Sequence, residues 1–252
     1  MADERPVLWH LQISHYNEKV RWALDYKRIP HVRHAMLPGV HRLKTRSLSG
    51  TPLSPVLTIG EESIGDSTAI LQAIEDRWPE PRLIPENPLQ RRRALRLEDW
   101  FDEELGPHIR RAVYYELLPH PEIVVPLFTD GSSRARRALL RASFPVLRVG
   151  MRQIMNIREE PARRSREKAV AAVDMLEKEL GDKEYLVGND FSIADLTAAS
   201  LLYPLALPPE FPYRTVSFDE LPAGAREFLD ELRARPAAHW VAEMYRRHRL
   251  AA

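Results

Sequence analysis

The sequence contains no cysteine among its 252 residues. This excludes disulfides, thiolate zinc sites and iron–sulfur clusters, and every mechanism in which the protein itself supplies a nucleophilic thiolate. No uncharged apolar run approaches the roughly 18 residues of a membrane-spanning helix. The first eight residues, MADERPVL, are charged and lack the apolar core of a signal peptide. We therefore expect a cytoplasmic protein with no membrane partner.

The sequence also lacks an excess of either charge. It has 37 basic and 36 acidic side chains, a formal net charge of +1, which predicts no general attraction to nucleic acid or to an anionic membrane. A basic cluster over 91–96 is followed by acids over 98–104 and has no interleaved aromatics, so we interpret it as a solvated or dimer-facing helix. No HExxH motif or similar cluster occurs among the nine histidines, and we expect no metal site.

The chain begins with a short apolar run over 7–11, followed by a polar stretch over 12–17. Val20, Ala23 and Leu24 then follow at helical spacing. This pattern predicts a buried strand that turns directly into a helix, with Ser14 or Asn17 as its N-cap. The first turn of such a helix presents unpaired N–H groups and about half a unit of positive charge. It therefore suits a carboxylate, a phosphate or a thiolate.

The next sixty residues predict an α/β unit with a mixed sheet. A second strand over 31–36 and a short helix over 40–48 precede a hairpin whose strands lie near 56–59 and 63–64. A third helix follows, beginning at Asp66 and Ser67 and ending at Trp78. Ser54-Pro55 directly precedes a strand, which marks a special turn. The helix start at Asp66 and the Ser67 hydroxyl could hold a carboxylate.

The remainder of the chain has helical spacing throughout. We predict a linker over 83–90, a long helix over 89–118 kinked at Gly106-Pro107, and a Pro-rich connection over 119–131. Another helix over 133–160 has a predicted buried stripe of Leu140, Phe144, Leu147, Met151 and Ile154. Ser192 and Asp195 form a capping box that opens an apolar helix. Two final helices are expected over 223–234 and 237–248.

Four motifs in this order resemble those of the glutathione transferase family. They are the elbow SHYNEKVR at 14–21, the turn SPVL at 54–57, IGDSTAI at 64–70 and LVGNDFSIAD at 186–195. The resemblance implies an α/β plus all-α fold, with a thioredoxin-like glutathione-binding domain over 1–82, a linker over 83–90 and an all-helical domain over 91–252. It also implies a cytoplasmic homodimer, with the interface near the helix of 67–78 and residues 91–104.

The family resemblance further implies roles for particular residues. Ser14, at the elbow, is the expected catalytic residue of a serine-type transferase, in which the hydroxyl donates a hydrogen bond to the glutathione thiolate. Glutathione is then a co-substrate, with no permanently bound cofactor, and it attacks a small hydrophobic electrophile. The expected glutathione-binding residues are Ser54, Pro55, Asp66 and Ser67, with secondary candidates Tyr16, Asn17 and Leu53.

Two alternatives remain open at this point. Asn17 competes with Ser14 for the sulfur contact, since an amide can also donate to a thiolate. Leu53 stands where many family members have a Lys or Gln that helps hold glutathione. A non-catalytic binding or protein-interaction module with the same fold is therefore the alternative function.

Overall fold

A computed structural model describes residues 5–249. Its first part alternates strands and helices: β1 Val7–His10, α1 His15–Tyr26, β2 Val32–Ala35, α2 His41–Ser49, β3 Val56–Ile59, β4 Glu62–Gly65 and α3 Ser67–Arg77. The four strands form one sheet in the order β2-β1-β3-β4. Strand β1 runs parallel to β2 and antiparallel to β3, and β3 and β4 form the predicted hairpin. This is the expected thioredoxin-like arrangement.

The second part is helical. It comprises α4 Pro88–Trp100, a π-helical segment Phe101–Leu105, α5 Gly106–Leu117, α6 Pro121–Phe128, α7 Arg134–Ile154, α8 Glu159–Leu180, α9 Ile193–Ala206, α10 Ala223–Arg233 and α11 Pro236–His248. The π-helical segment lies directly before Gly106-Pro107, where the sequence predicts a kink, because a proline removes one backbone donor and widens the turn before it. None of these described helices has the length and apolar character needed to cross a bilayer.

Helix α1 is the structural centre of the molecule. It packs against α3 on one side and against α9 on the other, so Val20, Trp22 and Leu24 are fully buried. Its polar residues Glu18, Lys19 and Arg21 are also fully buried. The sequence predicts only one buried, apolar face for this helix. Its polar face is buried as well, because other helices also pack against that side.

Helix α9 begins as the sequence predicts. The Asp195 carboxylate accepts hydrogen bonds from the Ser192 N–H at 2.9 Å, from the Ser192 hydroxyl at 2.6 Å and from the Leu186 N–H at 2.7 Å. Nearly every residue of the helix is buried. The capping box therefore fixes the start of a core helix and joins it to the preceding loop.

Two predictions about the helical part are wrong. The stretch over 119–131 contains helix α6, because Pro121 lies at its first turn, where a missing N–H costs nothing. In α7, Leu140, Phe144 and Met151 are buried as predicted, but the Ile154 side chain is 62% exposed. Helix α7 ends at Ile154, and the chain turns away there before α8 begins.

Candidate functional site

The polar elbow between β1 and α1 is held together by the side chain of Asn17. Its Nδ2 donates to Ser14 Oγ at 2.7 Å, and its Oδ1 accepts from the Leu11 N–H at 3.0 Å. The same Oδ1 accepts from the Ser54 hydroxyl at 2.7 Å. The carboxamide is fully buried. Asn17 therefore connects the elbow to the turn that precedes β3.

Ser14 is the N-cap residue of α1 by its backbone, but its side chain does not cap the helix. Its Oγ accepts from Asn17, and among residues 5–249 the hydroxyl hydrogen has no acceptor. Ser14 also lines a cavity in the described structure. The hydroxyl can thus donate to a ligand at the positive end of a helix. An incoming hydrogen bond from Asn17 makes that donor stronger, because hydrogen bonds in a chain polarise one another.

The Ser54-Pro55 peptide bond is cis. Ser54 is half-buried and lines the cavity, and its hydroxyl is tied to Asn17. Pro55 is buried behind it. In the described structure neither the backbone N–H nor the C=O of Ser54 has a partner. This backbone is available to pair with an extended peptide-like ligand lying beside Ser14.

Asp66 and Ser67 are placed differently from these residues. Asp66 has a φ of 72°, and its Oδ1 accepts from the N–H groups of Thr68 and Ala69, both at 3.0 Å. Ser67 is buried, and neither residue lines the cavity. The negative charge of Asp66 contributes to the raised pKa of Tyr16, whose main cause is burial. Asp66 and Ser67 therefore lie at the start of α3, outside the cavity.

Tyr16 and Leu53 are the remaining sequence candidates. The Tyr16 hydroxyl donates to the Asp102 carbonyl at 2.8 Å and packs against Gly106, so it contacts the helical part and not the cavity. Leu53 does line the cavity, and its side chain is 59% exposed at the rim. The structure therefore brings Ser14, Leu53 and Ser54 together on one wall.

The cavity lies between the elbow and the helices and has a volume of about 600 Å³. Its walls are mainly apolar and include Ile109, Val113, Tyr114, Phe128, Leu147 and Met151. The Tyr203 hydroxyl donates to the Ile13 carbonyl at 2.8 Å, which fixes α9 against the elbow. A cavity of this size and polarity suits a small hydrophobic molecule beside Ser14.

Sequence reasoning missed His15, which also lines the cavity. Burial and the charge of Arg110 lower the pKa of the His15 imidazole to about 3, so the ring is neutral near pH 7. Its Nε2 is buried without a hydrogen-bond partner in the described structure. No local pattern signals this, because Arg110 lies far away in sequence on α5.

A buried ionic cluster joins α1 to α3, α4 and the π-helical segment beside the elbow. Lys19 Nζ forms an ion pair with Glu98, another with Asp102 at 2.6 Å, and a hydrogen bond to Thr68 Oγ1 at 3.1 Å. Thr68 in turn donates to Glu98 at 2.7 Å. Lys19 and Glu98 are fully buried. This cluster fixes the direction of α1, and therefore of the Ser14 end, relative to the helices.

Arg21 holds the elbow from behind. Its guanidinium donates to the Leu11 and Gln12 carbonyls at 3.2 and 2.9 Å and pairs with Glu18 at 2.8 Å. It also contacts His10 Nδ1 at 3.0 Å, and burial together with this cation lowers the pKa of His10 to about 2. The carbonyls of an irregular buried loop are thus satisfied by one fully buried side chain.

The order of elements, the hydroxyl at the helix start, the cis-proline turn and the adjoining apolar cavity together define a class of protein. The chain belongs to the glutathione S-transferase family. The model of the family's N-terminal domain matches residues 8–82, and that of its C-terminal domain matches residues 159–231.

Particular relatives extend over nearly the whole chain. FtsZ-localized protein A of Caulobacter vibrioides is 25% identical over 240 residues, which cover 94% of this chain and 90% of the relative. A beta-etherase from Sphingobium sp. strain SYK-6 superposes with a TM-score of 0.61 at 19% identity, covering 95% and 99% of the two chains. A theta class transferase from Xanthomonas axonopodis pv. citri with glutathione bound gives 0.59 at 17% identity, covering 99% of this chain and 99% of the other. Similarity at this level to the two solved structures shows the common fold.

Proposed function

We propose that the protein is a serine-type glutathione transferase. The observation that carries this proposal is the Ser14 hydroxyl: it lies at the N-terminus of α1 on the wall of an apolar cavity, it is polarised by Asn17, and its hydrogen is free to donate. A ligand thiolate placed there receives one O–H donor and the positive end of a helix. Both favour the anion over the thiol.

The size of the effect is chemically useful. A free cysteine thiol has a pKa near 8.5, so only a few per cent is ionised at pH 7. A hydrogen bond to a charged group contributes about 1.5–3 kcal/mol, which corresponds to about one to two pKa units. The thiolate sulfur then forms a bond to an electrophilic carbon of a hydrophobic molecule in the cavity, and the leaving group departs with the electron pair of the broken bond.

In this proposal, groups near Ser14 bind the rest of the glutathione molecule. The unpaired backbone N–H and C=O of Ser54 pair with the cysteinyl residue, and Pro55 fixes that turn. The start of α3 at Asp66 and Ser67 takes the γ-glutamyl end, Asn17 acts by orienting Ser14, and Leu53 contributes an apolar rim. In this assignment Tyr16 joins the two parts of the chain and does not touch the ligand.

Conjugation of glutathione to an aryl halide tests this function. Wild-type protein is expected to accelerate the reaction and to be retained on immobilised glutathione. Ser14→Ala is expected to be retained but to lose most of its activity. Retention without catalysis in the wild type would refute the transferase proposal, and full activity in Ser14→Ala would refute the role of Ser14.

A non-catalytic binding module is the second candidate. Two observations favour it: Leu53 supplies no charged or amide group at the cavity rim, and the Asp66 carboxylate is already engaged by two helix N–H groups. The Caulobacter relative is named for where it localises and not for a reaction. Failure to bind any low-molecular-weight thiol, measured by calorimetry, would favour this candidate over the first.

We also propose a cytoplasmic homodimer that pairs α3 and the stretch over 91–104 with their counterparts. The exposed side chain of Leu89, at the start of α4, adjoins that surface. Light scattering would test this directly, since the dimer has twice the 29.1 kDa mass of one chain.

A further inference from the structure

The near-zero net charge conceals an uneven distribution. Residues 34–60 and 131–158 contain ten of the 37 Lys and Arg residues and none of the 36 acids, so the rest of the chain has 27 basic against 36 acidic side chains. These two stretches include α2 and α7, and they meet where the chain just before α2 contacts α7: Leu147 lies beside Gly39, and Arg136 Nη2 donates to the Ala35 carbonyl at 3.3 Å. The two acid-free stretches are therefore neighbours in the fold.

The same two stretches display most of the exposed hydrophobic side chains. Of the eight large hydrophobic residues exposed in the described structure, seven lie there: Val40, Leu43, Leu53, Leu139, Val146, Val149 and Ile154. The Val146 side chain is 78% exposed, as is that of Leu43. We call this surface, made of α2, α7, Val40 and Leu53, the α2–α7 face. Clustered apolar exposure of this kind marks an interaction site.

Helix α7 has the surface pattern of an interfacial helix. Its buried side is Leu140, Phe144 and Met151, while its solvent side repeats at helical spacing as Ala135, Ala138, Leu139, Ala142, Val146 and Val149. This apolar strip is about 20 Å long, at 1.5 Å per residue. Five arginines lie along one edge of the strip, because their positions are about a quarter turn from it around the helix axis. They are Arg134, Arg137, Arg141, Arg148 and Arg152. None of the six α7 arginines forms an ion pair in the described part of the chain.

Helix α7 lies between the two stretches that the family models match, 8–82 and 159–231. The face is also continuous with the cavity, because Leu53, Val146 and Ile154 are exposed and line its mouth. A partner on this face would thus cover the entrance to the site.

We propose that the α2–α7 face docks on an anionic lipid bilayer, with the α7 strip in the headgroup region and the arginines against lipid phosphates. An apolar strip flanked by unpaired arginines is the composition of helices that lie in a membrane interface. Nucleic acid fits less well, because the exposed side chains are aliphatic and offer no stacking surface. A second copy of this face would oppose arginines to arginines. The exposed apolar side chains lie on two elements around an open cavity mouth. A fluid bilayer can cover such an uneven surface without having a complementary shape.

Flotation with lipid vesicles tests the proposal without reference to catalysis. The wild type is expected to float with vesicles of equal parts phosphatidylcholine and phosphatidylglycerol at low ionic strength, and to stay behind with phosphatidylcholine alone. Replacing Arg137, Arg141 and Arg152 by Gln together should lower partitioning on the order of 100-fold, since each basic residue near an anionic surface contributes about fivefold. The matched control replaces Arg163, Arg164 and Arg246 by Gln, an equal change in charge on α8 and α11, and should float like the wild type.

A second variant tests the apolar component. Leu139→Ser with Val149→Ser keeps every charge and alters only exposed side chains, so folding should be retained, as circular dichroism can verify. It is expected to float at low ionic strength but to be released at physiological ionic strength, where the wild type stays bound. Absence of wild-type flotation overturns the proposal and leaves the face to a protein partner. The proposal is also overturned if the control triple variant loses as much vesicle binding as the α7 triple variant. It is likewise overturned if the serine variant stays bound to vesicles at physiological ionic strength.

Discussion

Replacing Asn17 by Asp is the sharpest perturbation of the proposed site, because it changes one atom of the side chain and reverses one hydrogen bond. The Asn17 Oδ1 contacts to the Leu11 N–H and the Ser54 hydroxyl are kept by a carboxylate. The Nδ2 donor to Ser14 Oγ becomes an acceptor. The Ser14 hydroxyl should then donate to the new carboxylate and no longer to a ligand. Three donors around this carboxylate keep it ionised at neutral pH.

The expected loss of activity follows from the loss of the hydrogen bond between the Ser14 hydroxyl and the thiolate. A hydroxyl donor to a thiolate contributes about 1.5–3 kcal/mol, so its removal raises the pKa of the bound thiol by about one to two units. The nearby negative charge acts in the same direction. Below that pKa the rate depends on the thiolate fraction, so kcat/KM near pH 7 should fall about 10- to 100-fold, and the difference should narrow as the pH rises above the shifted pKa.

The assay is the pH profile of kcat/KM for glutathione and an aryl halide. Asn87→Asp is the matched control, since Asn87 is an exposed N-cap whose Oδ1 accepts from two helix N–H groups, as an Asp would. Its profile should follow the wild type. An unchanged profile in Asn17→Asp would show that Asn17 does not direct the Ser14 hydroxyl toward the ligand.

Three further predictions follow from the same contacts. Ser14→Ala should lower kcat/KM about 10- to 100-fold at pH 7 with little change in the Kd for glutathione measured by calorimetry, and a matching loss of affinity would assign Ser14 to binding alone. Lys19→Met should lower the free energy of unfolding by about 3–5 kcal/mol in a denaturant titration, because it leaves the fully buried Glu98 uncompensated, whereas a change below 1 kcal/mol would show that the cluster is dispensable. Gly106→Ala should cost about 1–3 kcal/mol, since its Cβ would lie 2.2 Å from the Tyr16 hydroxyl oxygen. Combining it with Tyr16→Phe should recover part of that loss, and no recovery would place the strain elsewhere.

The sequence predicts the fold well where local signals determine it. The strand-to-helix elbow, the hairpin and the capping box at Ser192 each depend on residues close together in the chain, and the structure contains all three. The same holds for the position of α3, whose start and end are marked by Asp66 and by Trp78-Pro79. These motifs in order are sufficient to indicate the family, whose N- and C-terminal models match the chain.

The features that the sequence does not predict depend on distant contacts. Charged residues in α1 suggest a solvated face, yet Lys19 is fully buried and paired with Glu98. The sequence does not reveal this pair because its two residues are 79 positions apart. The sequence does not show whether Asn17 or Ser14 is the better donor to the ligand sulfur. That choice depends on the direction of one hydrogen bond, in which Asn17 Nδ2 donates to Ser14 Oγ. The apolar outer strip of α7 is hidden in the sequence for the opposite reason: both sides of the helix are apolar, and only packing decides which one is buried.

The central claim is that Ser14 lowers the pKa of a bound thiol, and the most direct measurement is the titration of the ultraviolet thiolate absorbance of glutathione bound to the protein. The wild type is expected to bring that pKa at least one unit below the ~8.5 of a free cysteine thiol, and Ser14→Ala to return it by about one to two units. Identical pKa values in the two proteins, both holding bound glutathione, would contradict the account.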